Sequence, residues 1–208
     1  MQIETMRSET TQTPGDLAGG VARFQREVFP AKAGLFARLA EVHRPATLFI
    51  GCSDARVVPE LITQSEPGEL FVVRTAGNLV PAHAPGPDGV AASIEYAVAV
   101  LGVGDVVVCG HSACGAMTAL AEGADLSTAA SVAGWLRHAH ASVARTAAGA
   151  GPDRLAALIR ENVRAQLANL ATHPSVARAQ AAGTLTLHGW VYDIRSGGVT
   201  EVGPTTAA

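Results

Sequence analysis

A short apolar segment that ends in a glycine and two potential metal ligands constrains this chain more than any other feature. Residues 106–116 have the sequence V-V-V-C-G-H-S-A-C-G-A. The valines and Cys109 form an apolar run typical of a buried strand, and Gly110 ends that run where a helix is expected to follow. His111 and Cys114 therefore lie just after the carboxyl end of a strand, where open α/β sheets place their functional sites.

A second cysteine motif supplies a third candidate ligand. Cys52 follows another apolar run, L-F-I at residues 48–50. Imidazole and thiolate groups are the usual ligands of zinc, and Cys52, His111 and Cys114 would leave one position of a tetrahedral ion open, as in catalytic sites. Cys109 is interpreted as a buried strand residue, because its use as a fourth ligand would close that position.

The residues that follow Cys52 indicate how the open coordination position of the metal would be used. The motif is C-S-D-A-R, so Asp54 and Arg56 come directly after the ligand. A carboxylate two residues from a ligand can reach the open position, and a paired guanidinium would keep it ionised and turned away from the metal. An ordinary surface ion pair is the alternative interpretation. The position beside a ligand favours the functional one.

The two motifs, in this order, resemble the signature of the β-class carbonic anhydrases, which is C-x-D-x-R followed by H-x-x-C. Further segments are similar to that family and occur in the family's order: residues 66–74 (E-P-G-E-L-F-V-V-R), 76–80 (A-G-N-L-V), 93–98 (S-I-E-Y-A-V) and 188–192 (H-G-W-V-Y). The resemblance covers roughly residues 20–203.

The resemblance implies a zinc enzyme that reversibly hydrates carbon dioxide to bicarbonate and a proton, with one zinc per subunit. Cys52, His111 and Cys114 would bind the zinc. Asp54 would accept a hydrogen bond from the nucleophile at the open position, and Arg56 would hold Asp54. The family builds its active-site cleft where two subunits meet, so the resemblance also implies a homodimer or a dimer of dimers.

Resemblance to the plant-type branch of the family extends to the substrate cleft. It makes Phe71 and Tyr96 walls of a narrow apolar cleft that admits carbon dioxide. Gly115 would contribute a backbone N–H to an anion cradle at the start of a helix. That branch has a cleft glutamine where this chain has His43. The difference alters the group available for carbonyl recognition and proton exit.

Another branch of the family implies a possible bicarbonate pocket. In that branch the aspartate moves from the arginine to the metal at acidic pH, aided by bicarbonate held by a Trp, an Arg and a Tyr. Arg74 and Tyr192 match the last two, whereas Phe49 stands at the Trp position. Phenylalanine lacks the indole N–H donor. We therefore expect a chain that closes at low pH but responds feebly to bicarbonate, since a ligand shifts two states only by its differential affinity.

The order of strand and helix patterns predicts an α/β fold with a mostly parallel central β-sheet, a C-terminal antiparallel edge and flanking helices. Strands are expected at residues 47–51, 70–74, 105–110 and 184–192, with residues 199–202 pairing back as the edge. Long helical patterns cover residues 125–149 and 153–171. Residues 1–20 are expected to form a flexible N-terminal arm, and residues 21–208 a single zinc-binding domain.

Composition restricts the class of protein further. A net charge of −3 gives no electrostatic reason to expect a nucleic acid partner. With 3 cysteines, two of them assigned to a metal, no disulfide framework is expected, which favours a cytoplasmic location. The first residues are polar and do not resemble a signal peptide. No apolar run is long enough for a membrane span, so no membrane association is expected.

The same residues are compatible in part with four other functions. Hydrolysis of carbon disulfide or carbonyl sulfide on the same scaffold stays open, and assays of both substrates would separate it from hydration. A phosphatase or rhodanese type, with Cys52 as nucleophile, is disfavoured because the phosphatase loop requires an Arg where Val58 stands. A non-catalytic zinc module or thiol sensor would not need the Asp54–Arg56 pair. Dinucleotide binding is disfavoured because Gly102 and Gly104 precede a strand instead of following one.

Overall fold

The computed structural model describes residues 14–147 and 153–203, which form one unit ending at His43 and another beginning at Arg44. The strands are β1 (Thr47–Cys52), β2 (Leu70–Thr75), β3 (Asp105–His111), β4 (Thr186–Tyr192) and β5 (Val199–Glu201). The α-helices are α1 (Pro14–Arg23), α2 (Phe29–Glu41), α3 (Pro59–Thr63), α4 (Gly89–Glu95), α5 (Gly115–Glu122), α6 (Ala130–Leu136), α7 (His140–Ala147), α8 (Arg154–Ala171) and α9 (Pro174–Ala181). Within these described ranges, none of the helices combines the length and the apolar character that a membrane span requires.

The second unit is built on one twisted sheet with the strand order β2-β1-β3-β4-β5. Strand β1 pairs in parallel with both β2 and β3, and β3 pairs in parallel with β4. Strand β5 turns back and pairs antiparallel with β4, with Val191 opposite Thr200. The predicted fold class, a mostly parallel sheet with an antiparallel C-terminal edge, is therefore confirmed.

Helix α8 packs closely on one face of this sheet because two strand positions carry no side chain. A Cβ atom on Gly110 of β3 would lie 2.9 Å from the side chain of Val163 of α8. A Cβ atom on Gly189 of β4 would lie 2.9 Å from the side chains of Val163 and Leu167. The apolar core on this face also includes Leu48, Ile50, Val106, Val108, Leu170, Val176 and Val202.

The helical pattern over residues 125–149 is interrupted in the structure. The carboxylate of Asp125 accepts the backbone N–H of Ser127 at 2.9 Å, and this local bond competes with helix formation. Helix α6 begins only at Ala130, and a short 3₁₀ segment at Arg137–Ala139 separates it from α7. Residues 148 and 149 lie outside the described residues. Helix α8 agrees with its prediction, and the Asp153 side chain caps it by accepting the Ala156 N–H at 3.1 Å.

The N-terminal unit is helical and buries none of its described side chains. A π-helical segment, Phe24–Val28, joins α1 to α2, and Pro30 occupies the first turn of α2, where its missing N–H is tolerated. Phe29 stacks on Phe36 with ring centroids 5.4 Å apart. Residues 1–13 of the expected arm lie outside the described residues, and residues 14–20 are part of α1. The division into an arm of residues 1–20 and a domain of residues 21–208 stays a prediction.

Replacement of Gly189 tests the close packing of α8 on the sheet. In Gly189→Ala, the new Cβ atom would lie 2.4 Å from the backbone oxygen of Val202, which cannot rotate away. We expect the free energy of unfolding to fall by about 2–3 kcal/mol, since overpacking usually costs about 1–3 kcal/mol. Gly104→Ala is the control, because no atom of the described part of the chain lies within 4 Å of the place that its new Cβ atom would take. Equal stability of both variants in urea unfolding would contradict the packing argument.

Candidate active site

Three candidate ligands converge at the carboxyl ends of neighbouring parallel strands. Cys52 ends β1, His111 ends β3, and Cys114 is the residue before α5. Because β1 and β3 run in parallel, both strands end at the same edge of the sheet. One ligand atom from each of the three residues lies within 4.8 Å of the other two, and all three side chains are buried. This group is the one found among the described residues in which at least three such side chains could hold a metal.

The loop between the last two ligands is fixed by a left-handed residue and by the end of β4. Ala113 has a φ of 54°, which is rare for a residue with a side chain and turns the chain back so that α5 can begin. The backbone N–H of Ser112 donates to the carbonyl oxygen of Tyr192 at 2.9 Å. The Ser112 hydroxyl donates to Asp193 at 3.1 Å and accepts the Ile194 N–H at 3.0 Å.

The imidazole of His111 has a defined proton position. Its Nδ1 lies 2.9 Å from the carbonyl oxygen of Ser112, which can only accept a hydrogen bond. Nδ1 therefore carries the proton, and the lone pair is on Nε2. Nε2 is buried and has no hydrogen-bond partner among residues 14–147 and 153–203. A buried acceptor without a partner is costly, so its presence here fits a metal ligand.

A hydrogen bond links the two candidate ligand thiols. The bond from Cys114 lowers the pKa of the Cys52 thiol, although burial opposes this effect. The same bond, together with burial, raises the pKa of Cys114. Of the two thiols, Cys52 is therefore the one that ionises more readily. By contrast, burial raises the pKa of Cys109 to about 12. Cys109 is fully buried within β3, as predicted for a strand residue.

Asp54 and Arg56 form a bidentate ion pair beside the ligands. Nε of Arg56 donates to Oδ1 at 2.9 Å, and Nη2 donates to Oδ2 at 2.7 Å. The Arg56 guanidinium thereby holds the pKa of the Asp54 carboxyl well below its usual range. Oδ2 of Asp54 lies 3.9 Å from Nε2 of His111, and Arg56 also donates to the carbonyl oxygen of Ala113 at 3.1 Å. The carboxylate is therefore turned to the arginine and adjacent to the ligand group.

The Arg74 side chain organises the loop that follows β1. Its Nε donates to the carbonyl oxygen of Cys52 at 3.0 Å. Its Nη2 donates to the carbonyl oxygens of Asp54 and Val57 at 2.6 and 2.8 Å. No sequence pattern indicates these bonds, because each acceptor is a main-chain atom. They fix the backbone on both sides of the Asp54 side chain.

The three residues of the predicted bicarbonate pocket have different surroundings. Phe49 is fully buried, with its ring 6.4 Å from that of Trp190, and Tyr192 packs against the same apolar cluster. Arg74, the third predicted member, is engaged with the carbonyl oxygens described above. A role of Phe49, Arg74 and Tyr192 in binding bicarbonate stays a prediction.

The residues predicted to line the substrate cleft lie in three places. Phe71 of β2 contacts Tyr96, with ring centroids 6.0 Å apart. Gly115 is the first residue of α5, directly after the ligand Cys114. His43 is the last residue of the N-terminal unit. Their roles in the cleft stay predictions.

The turn at Ala76–Asn78 is supported by residues that no prediction from the sequence included. The backbone N–H of Gly77 donates to Sγ of Cys52 at 3.4 Å, and Asn162 of α8 donates to the carbonyl oxygen of Gly77 at 2.9 Å. One available signal was a row of amides at residues 162, 166 and 169, which share one face of an otherwise amphipathic helix. Buried amides on a helix face need partners, and such a row indicates a polar contact with another element.

Comparison with known proteins agrees with this fold. A family model described as carbonic anhydrase matches residues 47–199. A carbonic anhydrase of Pseudomonas aeruginosa is 61% identical over 185 residues, which cover 88% of this chain and 84% of that protein. The solved structure of the β-carbonic anhydrase CcaA has a TM-score of 0.86 and 38% identity, and the match covers 90% of this chain and 93% of CcaA.

A further solved structure comes from a study of two tetrameric β-carbonic anhydrases from the filamentous ascomycete Sordaria macrospora. It has a TM-score of 0.74 and 30% identity, and the match covers 93% of this chain and 95% of that one. The parallel sheet with its ligand group at the strand ends and these matches together define the class of protein. The chain belongs to the carbonic anhydrase family and is an enzyme of its β class.

Proposed function

We propose that this chain is a zinc enzyme that catalyses the reversible hydration of carbon dioxide to bicarbonate and a proton. The observation that carries the proposal is the convergence of Cys52, His111 and Cys114 beside a carboxylate that is held by an arginine. The unpartnered Nε2 of His111 adds weight, because it is a buried acceptor directed into that group.

The donor set fits zinc, with one ion per subunit. Two sulfur atoms and one imidazole nitrogen favour zinc over magnesium or calcium, which prefer oxygen ligands. Three protein ligands leave a fourth position for a reactant. When bound, zinc would supply Lewis acidity and make a hydroxide nucleophile available near neutral pH.

Asp54 is assigned to orienting the nucleophile. An ionised carboxylate can only accept hydrogen bonds, so it would accept a hydrogen bond from the nucleophile and thereby direct the reactive lone pair toward carbon dioxide. Arg56 keeps that carboxylate ionised and fixes its direction through two hydrogen bonds. Gly115, at the start of α5, would offer its N–H to the anionic product. Phe71 and Tyr96 would form apolar walls for carbon dioxide.

The proposal includes assembly into a homodimer or a dimer of dimers. The N-terminal unit exposes a run of large apolar side chains that a monomer would leave in water: Leu17, Val21, Phe24, Val28 and Phe29. An exposed apolar surface of this kind usually marks an interaction site. The Sordaria macrospora relatives are described as tetrameric.

A cytoplasmic location belongs to the same proposal. The described cysteines, Cys52, Cys109 and Cys114, are all free thiols. Free thiols that serve as metal ligands persist in a reducing compartment, whereas an oxidising one favours disulfides.

Substitution of the candidate ligands tests the metal assignment. Cys52→Ser, His111→Ala and Cys114→Ser should each lose zinc, because two remaining ligands hold the ion poorly. Cys109→Ser is the matched control, since Cys109 is equally buried but lies within the strand, and it should keep about one zinc per subunit. Metal content is measured by atomic absorption on the purified chains. Full zinc content in all three ligand variants would refute the assignment.

Removal of the Asp54–Arg56 pair tests the orienting role. Asp54→Ala and Arg56→Ala should retain zinc yet lose activity by about 10- to 100-fold, as is typical for groups that act around a metal. In Arg56→Ala the pKa of Asp54 should rise, because its guanidinium partner is gone. As the pH falls, this carboxylate would be protonated earlier than in the parent. The residual activity of Arg56→Ala should therefore be lost on acidification at a higher pH than the activity of the parent.

Arg145→Ala is the control for that experiment, because it removes the arginine of another ion pair, with Glu161 at 3.4 Å. It should hydrate carbon dioxide at the rate of the parent. If Asp54→Ala and Arg56→Ala also matched the parent rate in stopped-flow assays, the pair would be an ordinary ion pair.

The oligomer is tested by adding a charge to the N-terminal unit. Phe24→Asp places a carboxylate on its exposed apolar surface and should shift the mass in light scattering toward a smaller species. Gln25→Asp is the matched control, since the neighbouring side chain is exposed and already polar, and its mass should equal that of the parent. A parent protein that is a fully active monomer at assay concentration would contradict the proposed assembly.

A further inference from the structure

We infer that Asn162 of α8 is a positioning residue that, through Gly77, sets the electron-donor strength of the Cys52 sulfur toward the metal. The inference rests on the proposed function, because it takes Cys52 to be a ligand of zinc. It assigns a role to a helix that contributes no ligand of its own.

The first link is the hydrogen bond from the backbone N–H of Gly77 to Sγ of Cys52, at 3.4 Å. Gly77 has φ +73°, a conformation that favours glycine and that directs its N–H toward the sulfur. A Cβ atom at this position would lie 3.1 Å from Cβ of Ala116 and 3.1 Å from Cε of Met117. The close approach of this main-chain donor to the ligand therefore depends on glycine.

The second link holds the turn that carries this donor. Nδ2 of Asn162 donates to the carbonyl oxygen of Gly77 at 2.9 Å, and both residues are buried. Nε1 of Trp135 donates to the carbonyl oxygen of Ala76 at 2.9 Å, and the Thr75 hydroxyl donates to that of Leu79 at 2.9 Å. Successive carbonyl groups of the turn are thus anchored, and Asn162 anchors the residue whose N–H reaches the sulfur.

The Asn162 amide is itself fixed in orientation. Its Oδ1 accepts from Nε2 of Gln166 at 2.9 Å and from the Ser142 hydroxyl at 3.5 Å. Gln166 in turn accepts the backbone N–H of Val80 at 2.9 Å. With Oδ1 occupied by donors, Nδ2 must face the Gly77 carbonyl. A network with satisfied members of this kind is rigid, so the Gly77 N–H is held on the sulfur.

The chemical consequence concerns the metal's acidity. Two thiolate ligands donate more charge than imidazoles would, which weakens the acidity of the ion. A hydrogen bond to one thiolate withdraws electron density from its sulfur and partly restores that acidity. Loss of the bond should therefore move the acidic limb of the pH–activity profile upward. Activity at a pH on that limb should fall about 10-fold or more, as expected for a group supporting a ligand, with little change on the alkaline plateau.

The test compares two asparagines of the same helix. Asn162→Leu removes the donor to Gly77, whereas Asn169→Leu removes a donor to the Val80 carbonyl at 2.8 Å, which lies further along the same segment. Each full-length variant is loaded with cobalt, and the sulfur-to-cobalt charge-transfer absorption is recorded. We expect that band to move to lower energy in Asn162→Leu only, because a thiolate that loses a hydrogen bond is more easily oxidised. The zinc-loaded variants give the pH–activity profiles.

An unshifted band and profile in a folded, metal-loaded Asn162→Leu would overturn the inference and leave the zinc assignment intact. Failure of the parent to bind cobalt with a thiolate band would overturn both. Should Asn162→Leu not fold, the smaller change Asn162→Ser also removes the donor to Gly77, and this variant and the parent are loaded with a spin-active cadmium isotope. A scalar coupling between cadmium and the Gly77 amide proton that is present in the parent and weaker in Asn162→Ser supports the inference. Equal coupling in both proteins, or none in the parent, overturns it.

Discussion

Parallel pairing of β1 with β3 is the constraint on which the rest of the site depends. Residues from two distant parts of the chain reach one point because both strands end at the same edge of the sheet, with Thr47 opposite Asp105 and Gly51 opposite Cys109. A slip of one residue in this register would turn every side chain of β1 to the other face. The buried faces of both strands resist such a slip, so the apolar core also determines the spacing of the ligands.

Charge at the site is balanced by groups of different origin. Arg56 neutralises Asp54 through its side chain, while main-chain donors and buried hydrogen bonds stabilise the sulfur of Cys52. The histidine presents a lone pair because a neighbouring backbone carbonyl takes up the other ring nitrogen. A cation held by this group would meet ligands that are already oriented, which would reduce the reorganisation that binding requires.

The sequence allowed prediction of the parts that are encoded locally. The strands, the C-terminal antiparallel edge and the candidate ligands each follow from short patterns, such as an apolar run that ends in a glycine. The partners of Arg74 and Asn162 could not be predicted, because they are main-chain atoms and Asn162 is 85 residues from Gly77. The row of amides on α8 indicates only that some polar contact exists. The interruption of the helix after residue 125 was also missed, because the hydrophobic periodicity of that segment does not show the local hydrogen bond that the Asp125 side chain accepts.

Because many acceptors at this site are main-chain atoms, the residues that supply them can be substituted without loss of the hydrogen bond. The carbonyl oxygens of Ala76, Gly77 and Ala113 each hold a supporting donor, and every amino acid offers the same oxygen. Substitution of Ala76 or Val57 therefore leaves their carbonyl oxygens in place as acceptors, provided that the backbone keeps its conformation. Only the few donor side chains must keep their amino-acid identity. A homologous sequence could thus differ at many residues around the site while it retains a small set of arginine, tryptophan and asparagine positions.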